Sequence, residues 1–296
     1  MEENPTSRWL SPAESQLIVQ LPASPLAPDV SPVVVYYRDA GGGCPLLFLH
    51  GGWGYESYPF DRQIAALENR FRVVIPDRTG YGRSEPIDEL QPDFHQRAAA
   101  ETLALLDALG LDRPVLWGHS DGAVIALRFA LSWPNRVSAV VAEATHVLRV
   151  KPASRAFFEK MVGNPNELGE RMTSVLETDH GSRWQQVVSM NGRAWLRIAE
   201  ESPSPDADLY DGRLGELDVP TLVVHGARDP RTEPGELDLL DTAGACQKVV
   251  LPEGGHSPHS ESATADDVIS VAGRFLDGAA SPLAPSHLSR STRLRD

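Results

Sequence analysis

The pentapeptide G-H-S-D-G at residues 118–122 places Ser120 between two glycines, directly after an apolar run and before a helical one. A sharp turn from a strand into a helix pushes a serine hydroxyl out at the end of a sheet, which is typical of an activated nucleophile. Short matches to G-x-S-x-G arise by chance, so the supporting context is the strand predicted at 114–117 and the helix predicted at 121–131. The sequence predicts that Ser120 is a nucleophile.

A serine hydroxyl needs a base that takes its proton, and a histidine oriented by a carboxylate commonly fills that role. The candidate base is His256, in a glycine-containing loop after the last predicted strand, and the candidate acid is Asp229, in the turn after the preceding strand. Ligands bind at the carboxyl ends of strands in open α/β sheets, where all three residues are expected. The chain order of serine, acid and histidine fits such a triad.

Two neighbouring residues offer alternatives to this assignment. Glu143 ends the strand at 137–142 and could replace Asp229, which precedes a proline and could be an ordinary turn residue. His259 could compete with His256 as the base or form an H-x-x-H metal pair, but no further ligand stands at a recognisable spacing. We prefer Asp229 and His256, and we expect neither a metal nor an organic cofactor.

The glycine-rich segment H-G-G-W-G at 50–54 follows the apolar run at 45–49 and is the candidate source of an oxyanion-binding amide. Its glycines let the backbone approach a substrate carbonyl closely. An oxyanion hole needs two donors. We predict the backbone N–H groups of Gly52 and Asp121, with Trp53 as the alternative to Gly52.

The carboxylate of Asp121 is unexpected beside an oxyanion, because two negative charges repel each other more strongly as water is excluded. Three arrangements would remove the conflict. The side chain could turn away and pair with Arg78 or Arg83, it could stay protonated in a dry site, or it could face the pocket and select a cationic or hydroxylated substrate. We expect the paired arrangement.

Strands and helices alternate along most of the chain, which predicts βαβ units and a mainly parallel sheet with helices on both faces. Two leading strands, at 16–21 and 33–37, are expected to form a hairpin. Between 147 and 219 the strand pattern stops, and three helical segments rich in aromatic residues and methionines predict a helical cap. The predicted divisions are a core at 15–146 and 220–278, this cap, and disordered ends at 1–14 and 279–296.

Composition limits the possible partners. The 296 residues carry a formal net charge of −14, which argues against nucleic acid or an anionic membrane as a partner. The first ten residues lack the basic and apolar regions of a signal peptide, and no stretch approaches ~18 consecutive apolar residues. The two cysteines do not form a disulfide framework. We expect a cytoplasmic monomer or homodimer that acts on a small molecule.

Five motifs in order resemble the α/β-hydrolase fold superfamily over about residues 30–278. They are H-G-G-W-G at 50–54, D-R-T-G-Y-G-R-S at 77–84, G-H-S-D-G at 118–122, H-G-A-R-D at 225–229 and G-H-S-P-H at 255–259. The resemblance implies an eight-stranded sheet with a helical cap inserted before the strand that carries the acid. A serine nucleophile argues against the haloalkane dehalogenase and epoxide hydrolase branches, whose alkyl-ester intermediates need a carboxylate.

These observations predict a serine hydrolase that cleaves a small or medium carboxylic ester, lactone or thioester through an acyl-enzyme. The same triad could serve a C–C bond hydrolase, an acyltransferase or a cofactor-free perhydrolase. A ligand-binding receptor without catalysis is a less favoured alternative, because a receptor need not keep a triad and two oxyanion donors.

Overall fold

Eight strands form one sheet in the computed structural model, which describes residues 17–279. The spatial order is β1-β2-β4-β3-β5-β6-β7-β8; β1 pairs with β2, and β2 with β4, antiparallel, and all other pairs are parallel. The sheet confirms the prediction of eight mainly parallel strands. The strands are β1 (Leu17–Leu21), β2 (Val33–Gly41), β3 (Cys44–Leu49), β4 (Phe71–Pro76), β5 (Val115–His119), β6 (Ala139–Glu143), β7 (Thr221–Gly226) and β8 (Cys246–Leu251).

Helices cover both faces of the sheet, as predicted. Along β3, Leu47 and Leu49 belong to one apolar cluster while Leu46 and Phe48 belong to the other, because successive side chains of a strand point to opposite faces. The first cluster includes residues of α2 (Phe94–Ala108) and α3 (Asp121–Ser132). The second includes residues of α1 (Asp61–Leu67) and α7 (Ala265–Ala279). Burial on both faces explains why the sequence of β3 contains an unbroken apolar run at 45–49.

Three helices lie between β6 and β7 and form the cap: α4 (Pro152–Gly163), α5 (Glu170–His180) and α6 (Trp184–Glu200). The two longest contact one another most, through residues such as Met161 and Val188 that share a small apolar cluster. After Glu200 the chain runs to β7 with a single 3₁₀ turn, Leu214–Glu216. The three cap helices therefore end about three quarters of the way along the segment from 147 to 219.

One predicted element has a different conformation. The α-helix predicted at 234–242 is a 3₁₀ helix, Glu236–Thr242, that begins after Gly235 in the left-handed region. Glu236 is buried there, where its carboxylate accepts hydrogen bonds from Lys151 Nζ at 2.6 Å and from the amide of Val147 at 2.7 Å. The tertiary contact explains why this segment departs from its sequence pattern.

Some sequence-based expectations cannot be compared with the structure. The predicted disordered ends, 1–14 and 279–296, lie outside the described residues, apart from Ala279 at the end of α7.

Both cysteines, Cys44 and Cys246, are free thiols. Within residues 17–279, no helix is both long enough and apolar enough to cross a bilayer.

Candidate active site

Ser120 occupies a strained turn between β5 and α3. Its φ of 54° and ψ of −119° lie in a region that L-residues rarely adopt. A side chain at Gly118 would place its Cβ 2.1 Å from the carbonyl oxygen of Gly122, and one at Gly122 would lie 2.0 Å from that of Leu49. Both flanking positions therefore require glycine, and the turn presents the Ser120 hydroxyl at the carboxyl end of the strand.

Ser120, His256 and Asp229 form a continuous hydrogen-bonded chain. The Ser120 Oγ lies 3.0 Å from His256 Nε2, and His256 Nδ1 lies 2.8 Å from Asp229 Oδ2. The other oxygen of Asp229 accepts the amide of Arg231 at 2.9 Å, which fixes the carboxylate. These distances suit proton transfer from a serine to a histidine whose ring is oriented by an acid.

The pKa values of His256 and Asp229 suit a triad in which the histidine is neutral at rest. Burial and the nearby Arg231 guanidinium lower the pKa of His256 to about 4, against the opposing effect of Asp229. Burial alone would raise the pKa of Asp229, but hydrogen bonds with His225 and His256 keep it well below its usual range. A neutral imidazole beside an ionised carboxylate can accept the serine proton.

The alternative acid and the competing histidine bind each other instead. Glu143 Oε1 lies 2.7 Å from His259 Nδ1 and also accepts the His259 amide at 2.9 Å. The second ring nitrogen of His259 contacts the carbonyl oxygen of Tyr58 at 3.0 Å. The structure therefore brings Asp229, and not Glu143, to His256.

The two predicted oxyanion donors border one cavity. Gly52 and Asp121 line one cavity together with Ser120 and His256. Asp121 is the first residue of α3, and the first amides of a helix have no partner within the helix. Trp53, the alternative to Gly52, also lines the cavity, and its carbonyl oxygen contacts His180 Nε2 of the cap at 2.8 Å.

The Asp121 carboxylate is paired, but not with Arg78 or Arg83; that prediction of its partners was wrong. Its oxygens contact His95 Nε2 at 3.2 Å, Asn191 Nδ2 at 2.7 Å and Trp195 Nε1 at 3.0 Å. The three partners come from α2 and the cap helix α6, so no local pattern around 118–122 could reveal them.

Asp121 is ionised at neutral pH. Burial raises the pKa of a carboxyl group, yet the contacts with His95, the charge of Arg78 and the Asn191 amide together lower that of Asp121 to about 2. This excludes the protonated arrangement considered above. The ionised carboxylate contacts nitrogen atoms of three protein side chains, and these contacts reduce its repulsion of a neighbouring oxyanion.

Sequence reasoning missed four polar residues of the cavity: Tyr58, His146, Asn191 and Arg231. His146 Nε2 lies 3.4 Å from Ser120 Oγ, and its ring stacks on that of His256 with centroids 5.6 Å apart. Burial lowers the pKa of His146 well below its ordinary value. His146 follows the carboxyl end of β6 by three residues, a position that could have marked it; nothing in the sequence marks Asn191.

The cap closes over the oxyanion loop, the segment at 50–54. A Cβ at Gly52 would lie 2.5 Å from Asn191 Oδ1, so the Asn191 side chain packs directly on that glycine. Phe157 of α4 contacts Trp53 with ring centroids 5.7 Å apart. The site therefore combines a hydrogen-bonded serine, two candidate amide donors and a cavity between core and cap, which suits nucleophilic attack on a carbonyl carbon.

Comparison with known proteins gives a consistent result. Residues 45–210 match the family described as alpha/beta hydrolase fold. The chain is 28% identical over 235 residues to the mouse "Serine hydrolase BPHL", covering 78% of this chain and 79% of the relative. It is 28% identical over 261 residues to the "2-hydroxy-6-oxo-6-phenylhexa-2,4-dienoate hydrolase" of Comamonas testosteroni, covering 79% and 89%. A solved esterase from Thermogutta terrifontis superposes with a TM-score of 0.69 at 22% identity, covering 90% of this chain and 100% of the esterase.

Proposed function

The chain belongs to the α/β-hydrolase fold family, and we propose that it is a serine hydrolase that cleaves a small or medium carboxylic ester, lactone or thioester. The observation that carries this proposal is the chain of contacts from Ser120 Oγ to His256 and Asp229, at 3.0 and 2.8 Å. Relatives named as a serine hydrolase and as an esterase of pimeloyl-[acyl-carrier protein] methyl ester support the same class.

In the proposed mechanism, His256 takes the Ser120 proton while Oγ attacks the substrate carbonyl carbon. The oxyanion that forms is stabilised by the amides of Gly52 and Asp121. His256 then gives its proton to the leaving alcohol or thiol, and an acyl-enzyme remains. Water enters, His256 takes one of its protons, and the second tetrahedral intermediate breaks down to release the acid and restore Ser120.

Asp229 has an orienting role in this proposal. Its carboxylate keeps the proton of the resting imidazole on Nδ1, so that Nε2 is free to accept from Ser120. When His256 becomes cationic, the ionised carboxylate stabilises it. The low pKa of Asp229 means that it stays a carboxylate throughout.

Hydrolysis of a C–C bond is the second candidate. Relatives of 28% and 29% identity are named 2-hydroxy-6-oxo-6-phenylhexa-2,4-dienoate hydrolases, and they cover 79% and 78% of this chain. The contact of His146 with Ser120 Oγ at 3.4 Å gives the site a second imidazole near the reacting atoms. Product analysis on a vinylogous 1,5-diketone acid and on esters separates the two candidates.

A labelling experiment tests the proposal. A fluorophosphonate probe should label the wild-type chain, and Ser120→Ala should abolish both labelling and turnover of p-nitrophenyl esters of increasing chain length. Ser260→Ala is the matched control, because Ser260 is exposed and lies in the same loop as His256. Near-normal ester turnover by Ser120→Ala would contradict the proposal.

We also propose that the protein is cytoplasmic and acts as a monomer or homodimer on a small molecule. Two free thiols, Cys44 and Cys246, fit a reducing compartment, and the net charge of −14 disfavours anionic partners. Cell fractionation and light scattering would test these two points.

A further inference from the structure

Arg231 introduces a positive charge into the cavity that Ser120 and His256 line. It follows Asp229 by two residues, and its amide donates to the Asp229 carboxylate at 2.9 Å. The backbone of Arg231 is thus fixed relative to the triad. Burial lowers the pKa of its guanidinium, but an arginine keeps its proton at neutral pH. The cavity therefore has a permanent cation beside the nucleophile.

Aromatic groups surround this guanidinium. Its Cζ lies 4.0 Å from the ring centroid of Phe157 and 5.5 Å from that of Trp53, and Tyr58 lines the same cavity. Rings stabilise the faces of a guanidinium, while its N–H edges bind planar anions in bidentate fashion. The arrangement holds the side chain in place without neutralising its charge.

Within the described residues, the guanidinium of Arg231 contacts no carboxylate, unlike those of Arg38 and Arg72. Arg38 and Arg72 each lie 2.6 Å from an aspartate oxygen. Between residues 17 and 279, no carboxylate oxygen lies within 4.0 Å of the Arg231 guanidinium. Asp229 and Glu233 are the nearest acids along the chain, each two residues away. The Asp229 carboxylate already contacts His256 and the Arg231 amide, and Glu233 accepts the amide of Ala153 at 2.9 Å. The carboxylates of Asp229 and Asp121 attract the guanidinium without contacting it, so a ligand carboxylate that contacts it directly would add a charge-assisted hydrogen bond.

We propose that the substrate carries a carboxylate in addition to the bond attacked by Ser120, and that Arg231 binds this carboxylate. The inference rests on the proposed hydrolase function and narrows its substrate class. Trp53 belongs to the oxyanion loop and Phe157 to the cap helix α4, so the carboxylate would be bound where core and cap meet. Because the guanidinium and the serine line the same cavity, the carboxylate and the cleaved bond would belong to one small molecule.

Two pairs of esters test this substrate class, since the carboxylate could lie on either side of the cleaved bond. The acyl-side pair is p-nitrophenyl hydrogen adipate against p-nitrophenyl heptanoate, and the alcohol-side pair is 4-carboxyphenyl butyrate against phenyl butyrate. The measurement is the ratio of kcat/KM for the anionic member to that for the neutral member. It is made at pH 8.5, so that an altered pKa of His256 does not change the ratio.

The variant is Arg231→Gln, and the matched control is Arg228→Gln. Arg228 lies in the same turn but is exposed and bonded to Glu253 at 2.6 Å, so both variants lose one positive charge. We expect the wild type to prefer the anionic member of at least one pair. Arg231→Gln should lower that ratio by about 10- to 100-fold, the range for a charge-assisted hydrogen bond, and Arg228→Gln should keep it.

Three results would overturn the inference. The first is a wild type that hydrolyses the neutral member of both pairs at least as well as the anionic one. This result does not depend on whether either variant folds. The second is an equal ratio in Arg231→Gln and Arg228→Gln. The third, no turnover of any ester together with no labelling of Ser120 by a fluorophosphonate, would overturn the hydrolase proposal as well. If the protein turns over esters and is labelled but does not prefer the anionic esters, only the inference that the substrate carries a carboxylate is overturned.

Discussion

Two histidine–carboxylate pairs lie three residues apart in the loop after β8, and their geometry is almost the same. His256 Nδ1 lies 2.8 Å from Asp229, and His259 Nδ1 lies 2.7 Å from Glu143. They differ at the other ring nitrogen. Nε2 of His256 faces the hydroxyl of Ser120, while Nε2 of His259 faces the carbonyl oxygen of Tyr58.

This difference separates a candidate base from a structural pair. A carbonyl oxygen only accepts hydrogen bonds, so Nε2 of His259 must donate, and a nitrogen that carries a proton cannot take one from a serine. The His259 ring is also fully buried and stacked on Phe60 with centroids 4.1 Å apart. A histidine held by a carboxylate is therefore a base only where its second nitrogen reaches an acidic hydrogen. The His259–Glu143 pair instead attaches the histidine loop to β6.

The largest expected effect is on turnover, at the carboxylate of the first pair. Asp229→Asn removes the acceptor that fixes the His256 tautomer, and we expect kcat/KM for an activated ester to fall by about 10⁴-fold. The fold should persist, which far-UV circular dichroism checks. If Glu143→Gln lowers kcat/KM more than Asp229→Asn does, the roles of the two acids in this comparison are reversed.

The second prediction concerns stability, at the carboxylate of the other pair. Glu143 is fully buried and binds His259 through both the ring and the amide. Breaking a buried pair costs about 3 kcal/mol or more, so Glu143→Gln should lower the free energy of unfolding by about that amount. Turnover at low temperature should fall by less than about tenfold. Urea unfolding of Glu143→Gln, His259→Gln and the double variant measures the coupling energy; independent effects of the two substitutions would contradict the pairing.

The third prediction is the pH dependence of turnover. Burial and Arg231 lower the pKa of His256 to about 4, and only the neutral ring can accept the serine proton. We therefore expect kcat/KM to stay level down to about pH 4 and to fall about tenfold per pH unit below it. Arg231→Gln should move this acid limb to higher pH. Tryptophan fluorescence at each pH separates loss of turnover from unfolding; a wild-type limb near pH 6.5 would contradict the proposed electrostatics.

Local patterns predicted the parts of the site that local geometry determines. The strand, the sharp turn and the two glycines around Ser120 are adjacent in sequence, and each loop that carries Asp229 or His256 follows a recognisable apolar strand. The partners of Asp121 were not predictable in this way. They lie on α2 and α6, 26 and 70 or more residues away, and their approach depends on how the cap packs against the core. That no carboxylate oxygen of residues 17–279 lies within 4.0 Å of the Arg231 guanidinium is likewise a property of the assembled fold.

The smallest expected effect concerns a third histidine–carboxylate pair, His95 and Asp121. This pair resembles His259–Glu143 because both groups are buried and neither ring contacts Ser120. Its effect should therefore be on stability. Turnover of Asp121→Asn should fall by less than about tenfold, because the backbone amide of residue 121 is the proposed oxyanion donor and the substitution keeps it.

The sign of the stability effect follows from the pKa of Asp121, which is lowered from 3.8 to about 2. The folded state favours the ionised form, so this contribution is complete above the unfolded pKa and is lost as pH falls toward about 2. A shift of nearly two pH units corresponds to about 2 kcal/mol, of which about half remains at pH 3. Asparagine does not titrate, so the stability difference between wild type and Asp121→Asn should shrink by about 1 kcal/mol between pH 6 and pH 3. Urea unfolding at both pH values measures it, and a difference that does not change with pH would mean that the folded and unfolded states hold the Asp121 proton equally.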